Sequence, residues 1–232
     1  TPLTPKIQQA ISALTQQPIR FLLNTHWHFD HTGGNDVIGS SGAVIIAHDN
    51  VRKRMEKGQF MAAFNMEIPP APAHALPIIT FSENVTVHFN NDTLDVVLHS
   101  APAHTDGDAV VYFKEANVVH MGDLFWNGIY PLIDGGSGGS TAGMIDAVAS
   151  VLARIDDNTK VIPGHGLLGT KSQLQAYHDM LLTVHTRIKK LHDQGKSVEE
   201  IIKAKPTADF DELWGKGLFN GDQWVGIVHS AL

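Results

Sequence analysis

Metal-binding side chains are concentrated in one short stretch, Thr25-His26-Trp27-His28-Phe29-Asp30-His31. It follows the apolar run Phe21-Leu22-Leu23 and precedes Thr32-Gly33-Gly34, so we expect it to form a turn at the end of a strand. His-x-His places two imidazoles on one side of an extended segment, while Asp30 and His31 can face a second ion. Imidazole and carboxylate ligands suit zinc, and also iron, manganese or cobalt. The alternative is a histidine-rich surface loop, which is disfavoured because four potential ligand residues follow a strand in this order.

Composition limits the class of protein, its partners and the kinds of site that it can contain. The 232 residues are 43% hydrophobic and 18% charged, which is typical of a globular chain, and we expect a single domain over residues 1–232. No apolar run approaches the ~20 residues of a membrane span, so no membrane partner is expected. The net charge of −7 argues against nucleic acid. The absence of cysteine excludes disulfides, thiolate ligands and a cysteine nucleophile.

The compartment stays open at this stage. The chain starts at Thr1 rather than at Met, which is compatible with a processed product. We therefore expect a soluble protein, either cytoplasmic or, after removal of a leader, periplasmic or secreted.

Further ligand types fall at predicted strand ends. His104 lies on the turn Ala101–Asp108, which precedes the predicted strand Ala109–Phe113. Asp123 follows a predicted strand over 117–121, and His165, between two glycines, follows another over 159–163. Each residue by itself is weak evidence for a metal ligand, but together they indicate that several strand ends supply ligands to one site.

The rest of the chain alternates between helix-like and strand-like segments. Apolar runs at 19–24 and 43–47, with a short helix between them, indicate a parallel βαβ unit. Alternating residues at 85–89 and 93–98 predict an antiparallel pair. The apolar segment Gly58–Pro77 is interpreted either as a lid over a site or as a packed excursion.

The ordered motifs resemble those of the metallo-β-lactamase-fold hydrolases. The pattern His-x-His-x-Asp-His, a later turn histidine, Gly-Asp after a strand and Gly-His-Gly occur in the family's order over almost the whole chain. The resemblance implies an α/β fold, an αββα sandwich with a two-metal site at one edge. It further implies that the first metal is bound by His26, His28 and His104, and the second by Asp30, His31 and His165, with Asp123 bridging both.

The resemblance also implies a cofactor and a reaction. We expect two Zn2+ per chain, with iron or manganese as alternatives. A water between the metals would attack the carbonyl of a small-molecule substrate, either an ester, a thioester, a lactone or a β-lactam. Asp30 is the candidate catalytic residue, because it can orient the nucleophile or return a proton to the leaving group.

One departure from the family pattern concerns the substrate. Asp123 stands where true metallo-β-lactamases carry cysteine or serine, and aspartate there looks like glyoxalase II and lactonases. Trp126 stands where the cysteine-containing subclasses use lysine to bind the β-lactam carboxylate. A dedicated β-lactamase is therefore disfavoured. We expect Trp126 and Tyr130 to shape an apolar substrate-binding pocket, with core packing as the alternative for each.

A second departure concerns the N-terminal region. The family has several strands before the first motif, whereas 25 residues precede His26 here. We expect the usual N-terminal strands to be missing, which would expose a sheet edge. The chain is then either a truncated form or part of a homo-oligomer in which another subunit covers that surface.

The sequence leaves alternatives to the hydrolase function. A mononuclear-iron oxidoreductase similar to persulfide dioxygenases would need only the first ligand set, and the complete second set argues against it. A nuclease or phosphodiesterase is disfavoured by the acidic charge. The non-enzyme alternative is a truncated metal-binding module with little activity.

Overall fold

The computed structural model describes residues 3–99 and 101–232. The chain divides into two compact units, Thr1–Glu83 and Asn84–Leu232. The N-terminal unit carries the His26–His31 motif, and the C-terminal unit carries His104, Asp123 and His165. The expectation of one domain over the whole chain stays a prediction, and each unit is described by itself.

The N-terminal unit mixes short strands and short helices. Its helices are α1 (Thr4–Ser12), α2 (Phe29–Thr32), α3 (Asn35–Ser40) and α4 (Asp49–Lys57). Its strands are β1 (Phe21–Leu23), β2 (Val44–His48), β3 (Gln59–Met61), β4 (Met66–Ile68) and β5 (Ile79–Phe81).

The main sheet of this unit has the order β1-β2-β5, with all neighbours parallel. The predicted βαβ unit is confirmed, since β1 pairs with β2 in parallel. The sequence did not predict β5, whose three residues directly follow Pro77 and Ile78. Residues 3–20 contain no strand, so β1 is an outer strand of the described sheet, with Phe21 37% exposed. Coverage of this region by a second subunit stays a prediction.

Helix α1 buries little apolar surface. It ends at Ser12. Ile7 is 51% exposed and Leu14, beyond the helix end, is 87% exposed. Within this helix Thr4 is the buried residue.

The segment 58–77 is a packed excursion, one of the two forms expected for it. Strands β3 and β4 form an antiparallel pair within it. Its backbone is tied to the rest of the unit: Ala71 N donates to Met55 O at 2.8 Å, and the Arg52 side chain donates to Pro77 O. Because these contacts involve main-chain atoms of the segment, they hold it against the rest of the N-terminal unit.

A buried amide pair clamps the two ends of the metal-motif loop. Asn24 lies at the end of β1 and Asn35 at the start of α3, and their side-chain amides exchange two hydrogen bonds of 3.0 and 2.8 Å. Asn35 Nδ2 also donates to Ala75 O at 3.0 Å. The side chains are 4% and 1% exposed, so these bonds are shielded from water. The pair therefore fixes the loop that carries His26 to His31.

The C-terminal unit contains a larger sheet, and its helices lie between or after the strands in the sequence. Its strands are β6 (Asn84–Phe89), β7 (Asp92–Leu98), β8 (Ala109–Phe113), β9 (Val118–His120), β10 (Lys160–Ile162) and β11 (Gly169–Thr170). Its helices are α5 (Thr141–Arg154), α6 (Lys171–Asp193), α7 (Val198–Lys203), α8 (Asp211–Trp214) and α9 (Gly221–Ser230).

The six strands follow the order β11-β10-β9-β8-β7-β6. The predicted antiparallel pair is confirmed as β6 and β7, and their turn residues Asn90 and Asn91 have φ angles of 53° and 58°, as a type I′ turn requires. Strand β9 pairs in parallel with β10, which brings the ends of both strands to one edge. Asp123 and His165 follow these two ends.

Helices α5, α6 and α9 supply much of the core of this unit. Val148, Leu181 and Trp224 are fully buried, one from each helix. Across residues 3–99 and 101–232, none of the helices has the length and apolar character needed to cross a membrane.

The amide clamp gives a direct stability prediction. Replacing Asn35 by Ala leaves the Asn24 amide and the Ala75 carbonyl buried without their partner, which costs about 1–3 kcal/mol in free energy of unfolding. Urea denaturation followed by circular dichroism measures this change. The exposed Asn158→Ala variant is the control and should stay within about 0.5 kcal/mol of wild type. Equal effects of the two variants would contradict the clamp.

Candidate metal centre

The first half of the site is the loop after β1. Asn24 N donates to Ile46 O at 3.0 Å, which extends the pairing of β1 and β2 up to the motif. His26 and His28 are 1% and 2% exposed, with ring centroids 4.9 Å apart. The ring of His31 lies 4.3 Å from that of His26. The loop thus gathers three imidazoles, two of which, His26 and His28, the spacing predicted on one side.

Helix α2 begins directly after His28 and sets the direction of the later ligands. Thr32 Oγ1 donates to the carbonyls of Trp27 and His28, at 3.1 and 3.0 Å, and so closes the turn. Asp30 Oδ2 lies 3.3 Å from His31 Nε2. The Asp30 side chain is 41% exposed, in contrast to the buried His26 and His28.

Hydrogen bonds to one ring nitrogen select the nitrogen that is left for a metal. His104 Nδ1 donates to Leu132 O at 2.8 Å, so Nε2 carries the lone pair in the neutral ring. His26 Nδ1 lies 3.1 Å from Thr25 Oγ1, so Nδ1 is engaged in this contact and Nε2 is the candidate ligand atom. Such contacts are typical of metal-binding histidines.

The second half of the site lies within the C-terminal unit and is centred on Asp123. One oxygen of its carboxylate, Oδ2, lies 3.4 Å from His104 Nε2 and 3.3 Å from His165 Nε2. Asp123 is 3% exposed and His104 is fully buried, whereas the His165 side chain is 32% exposed. Asp123 therefore stands between one predicted ligand of each metal.

Two glycine-bearing turns hold Asp123 in place. It lies in the 3-10 turn Gly122–Leu124, where Gly122 has a φ of 52° and its N–H donates to His120 Nδ1 at 3.0 Å. Gly164 N donates to Gly122 O at 2.7 Å and so joins the two strand ends. A Cβ atom at Gly164 would lie 2.0 Å from Asp123 Oδ1. Only glycine allows this approach.

Asp108 stabilises the turn that carries His104. Its carboxylate accepts from Thr105 N at 2.8 Å and from Thr105 Oγ1 at 2.6 Å. Burial raises the pKa of the Asp108 carboxyl to about 7, and its hydrogen bonds with Thr105 oppose that rise. This role was not predicted from the sequence, although the spacing Thr105-x-x-Asp108 is that of a side chain closing its own turn.

An aromatic layer packs near Asp123. The ring of Tyr177, from α6, lies 5.3 Å from that of Phe125, which follows the Asp123 turn. Burial and the nearby Asp123 carboxylate raise the pKa of Tyr177 well above its usual value, so its phenol stays neutral. Both side chains of this layer are fully buried.

The two residues predicted to bind substrate are both buried. The Trp126 ring is 3% exposed and lies 4.0 Å from the His165 ring. Tyr130 is fully buried, stacked on Trp224 at 4.3 Å, and its hydroxyl donates to Asp211 Oδ1 at 2.9 Å. For Tyr130 this packing supports the structural alternative. Trp126 instead packs against a predicted metal ligand.

The chemistry of the donor set fits a divalent metal. The candidate ligands are five histidines and two aspartates. His26, His28, Asp30 and His31 lie in the N-terminal unit, and His104, Asp123 and His165 lie in the C-terminal unit. Nitrogen and oxygen donors of this kind suit zinc, iron and manganese. A divalent metal bound by these side chains would add to the stability of the fold, because metal binding is coupled to folding.

Gly164 provides one test of how Asp123 is held. In Gly164→Ala the added methyl group displaces the Asp123 carboxylate, and we expect metal affinity to fall about 10- to 100-fold. Metal content after dialysis against a chelator series, measured by mass spectrometry, reports the change. Gly226→Ala in α9 is the control, because nothing lies within 4 Å of its added Cβ. Unchanged metal retention in Gly164→Ala would refute this account of the turn.

Asp108 gives a prediction for the pH dependence of stability in the chelator-treated chain. Its pKa is about 7 in the folded chain against 3.8 when unperturbed. Between these values the unfolded chain releases a proton that the folded chain keeps, so rising pH favours unfolding. Asparagine mimics the protonated acid, since its oxygen accepts from Thr105 N and its amino group donates to Thr105 Oγ1.

We therefore expect the stability of wild type to fall relative to Asp108→Asn across this window, by up to about 4 kcal/mol. Denaturant midpoints at several pH values measure the difference. Asp157→Asn, at a side chain that is 95% exposed, should give a difference that does not change with pH. A pH-independent difference for Asp108→Asn would contradict the buried, raised pKa.

Comparison with known proteins places the site in a family. A family model described as "Metallo-beta-lactamase superfamily" matches residues 3–165, a range that contains all seven candidate ligands. The chain is similar to "Probable metallo-hydrolase YqgX" of Bacillus subtilis, with 27% identity over 165 residues, 69% of this chain and 74% of that protein.

Two further similarities bear on activity and on fold. Identity to a "Hydroxyacylglutathione hydrolase" of Rhodospirillum rubrum is 32% over 124 residues, 52% of this chain and 40% of that protein. The match spans 34% to 57% of the length of five such relatives. A metallo-beta-lactamase structure from Pontibacter korlensis aligns with a TM-score of 0.60 at 21% identity, over 77% of this chain and 76% of that one.

The structural likeness confirms the predicted α/β fold class, and the family match covers most of the chain. The chain belongs to the metallo-beta-lactamase superfamily of metal-dependent hydrolases.

Proposed function

We propose that the two ligand sets form one dinuclear zinc centre. The first ion would be bound by His26, His28, His104 and Asp123, and the second by Asp30, His31, His165 and the shared Asp123. The observation that carries this proposal is the position of Asp123 Oδ2, at 3.4 Å from His104 and 3.3 Å from His165. A carboxylate oxygen between ligands of different sets is suited to bridge two ions.

The bound ions would acidify a water at the site and polarise the substrate carbonyl. The protein would supply position and proton transfer. Asp123 and His104 are held by main-chain contacts and by burial, so they can fix the geometry without rearrangement. Asp30 is the more exposed of the two aspartate ligands. Its carboxylate can accept a proton from the nucleophile and return it to the leaving group.

We propose a small carbonyl substrate, namely an ester, thioester or lactone. Relatives named for the hydrolysis of hydroxyacylglutathione support an acyl substrate. Aspartate at position 123 supports it as well, because cysteine or serine there would favour a β-lactam. A β-lactam is kept as a weaker alternative, since the β-lactamase structures are similar to this chain in fold.

The central role of Asp30 gives the functional test. The zinc-loaded chain is assayed against phenyl thioacetate, a γ-lactone, nitrocefin and a phosphodiester. We expect turnover of the thioester or lactone, a fall of at least about 100-fold in kcat/KM for Asp30→Ala, and no change for the exposed Asp157→Ala. Zinc content should be two per chain in wild type.

Two outcomes would overturn the proposal. One is a wild-type protein that carries two zinc ions and is inert on every substrate. The other is an Asp30→Ala variant that matches wild type on the substrates that wild type hydrolyses.

A further inference from the structure

Residues 130–134 contact the candidate ligand His104 at two points. His104 Nδ1 donates to Leu132 O at 2.8 Å, and Asp134 N donates to His104 O at 3.0 Å. The first bond orients the imidazole ring, and the second holds the backbone of the same residue. His104 and Leu132 are 0% and 4% exposed, so the bond to the ring is shielded from water. We call residues 130–134 the support segment of His104.

The C-terminal helix α9 contacts the support segment through one side chain. Trp224 is fully buried, and its Nε1–H donates to Pro131 O at 2.8 Å. Its indole ring also stacks on the ring of Tyr130, with centroids 4.3 Å apart and an angle of 8° between the planes. Trp224 therefore holds the two residues that immediately precede Leu132.

Helix α8 anchors the start of the support segment. Tyr130 N donates to Trp214 O at 3.0 Å, and the Tyr130 hydroxyl donates to Asp211 Oδ1 at 2.9 Å. The backbone and the side chain of Tyr130 are thus both bound to α8, while Trp224 covers a face of its ring. The support segment is therefore fixed before Leu132 by two helices and after it by His104 itself.

Backbone geometry carries this restraint to the Leu132 carbonyl. A peptide group is planar, and the proline ring restricts the φ angle of Pro131. Because the Pro131 carbonyl is bound to Trp224 and the Asp134 amide to His104, few backbone dihedral angles between them can change. The Leu132 carbonyl is thereby held where His104 Nδ1 can donate to it. In the neutral ring this donation leaves Nε2 for a metal.

A second connection runs from the end of α9 to the turn before the ligand histidine. Ala231 directly follows α9, and its carbonyl accepts from Thr141 N at 2.9 Å. The preceding residue, Ser140, donates from its N–H to Ala103 O at 2.8 Å and from its hydroxyl to Pro102 O at 3.1 Å. Helix α9 is therefore linked both to the support segment and to the turn that precedes the ligand.

We propose that Trp224 is a positioning residue for the metal centre. Through the Pro131 carbonyl it keeps the support segment in place, and the support segment keeps the His104 ring in the orientation that presents Nε2 to a metal. Helix α9 lies beyond residues 3–165, the range that the family model matches, so a metal ligand inside this range depends on a helix outside it. The consequence for metal binding and turnover rests on the proposed function, whereas the orientation of the ring does not.

The test removes the indole N–H and keeps an aromatic ring. In Trp224→Phe the buried Pro131 carbonyl loses its donor, so the support segment is less firmly held. The Hδ1 resonance of His104 is followed by NMR in the zinc-loaded chain with histidine labelled with nitrogen-15. We expect this resonance to move upfield, because the hydrogen bond to Leu132 lengthens, and the zinc affinity to fall about tenfold.

Ile201→Val is the matched control. Ile201 lies in α7 and is fully buried, so this variant lowers the stability of the same unit without removing a hydrogen bond. We expect its His104 resonance to be unchanged and its zinc affinity to stay within about twofold of wild type. If circular dichroism shows that Trp224→Phe is unfolded, benzothienylalanine in place of Trp224 removes the donor and keeps the shape of the ring.

Three outcomes would overturn the positioning role of Trp224. They are an unchanged Hδ1 resonance in the folded variant, an equal shift of that resonance in Ile201→Val, and an unchanged zinc affinity. The proposed function fails separately, if wild type binds zinc and hydrolyses no ester, thioester or lactone. In that case the shifted resonance and the weaker zinc binding of Trp224→Phe would still establish the role of Trp224.

Discussion

The Asp123 carboxylate between His104 and His165 is the contact on which the proposed chemistry depends. It can form only because three backbone features coincide in the C-terminal unit. Strands β9 and β10 run parallel and end together, Gly122 turns sharply at a φ of 52°, and Gly164 leaves room for the carboxylate. The C-terminal sheet thereby brings two distant positions of the chain to one oxygen atom.

The N-terminal unit differs from the C-terminal unit in that one short loop carries several candidate ligands. The loop is fixed at both ends by the Asn24 and Asn35 amides and closed by the Thr32 hydroxyl. His26 and His28 are buried within it. A metal bound by these rings would stabilise the folded loop, so we expect the stability of the chain and metal binding to be linked.

Prediction from the sequence succeeded where a pattern carried its own geometry. The His26–His31 spacing, the alternating strands β6 and β7, and strand-end positions such as Asp123 all indicated structure that is present. The contacts that tune the site were not predicted. Asn35 reaches Ala75 across 40 residues and Tyr177 approaches Phe125 across 52, and no local pattern encodes such pairings. The stacking of Tyr130 on Trp224 agrees with the alternative of core packing, and this contact depends on helix packing that no local pattern encodes.

Family membership and the site chemistry both indicate a metal-dependent hydrolase. The central claim about this hydrolase is that its site binds two metal ions. Anomalous X-ray scattering from crystals of the zinc-loaded chain, recorded on both sides of the zinc edge, tests that claim most directly. The account predicts two zinc peaks on either side of the Asp123 carboxylate, one near His104 and the other near His165. A single zinc peak next to His104, or an anomalous signal at the iron edge in place of the zinc signal, would contradict the two-zinc arrangement.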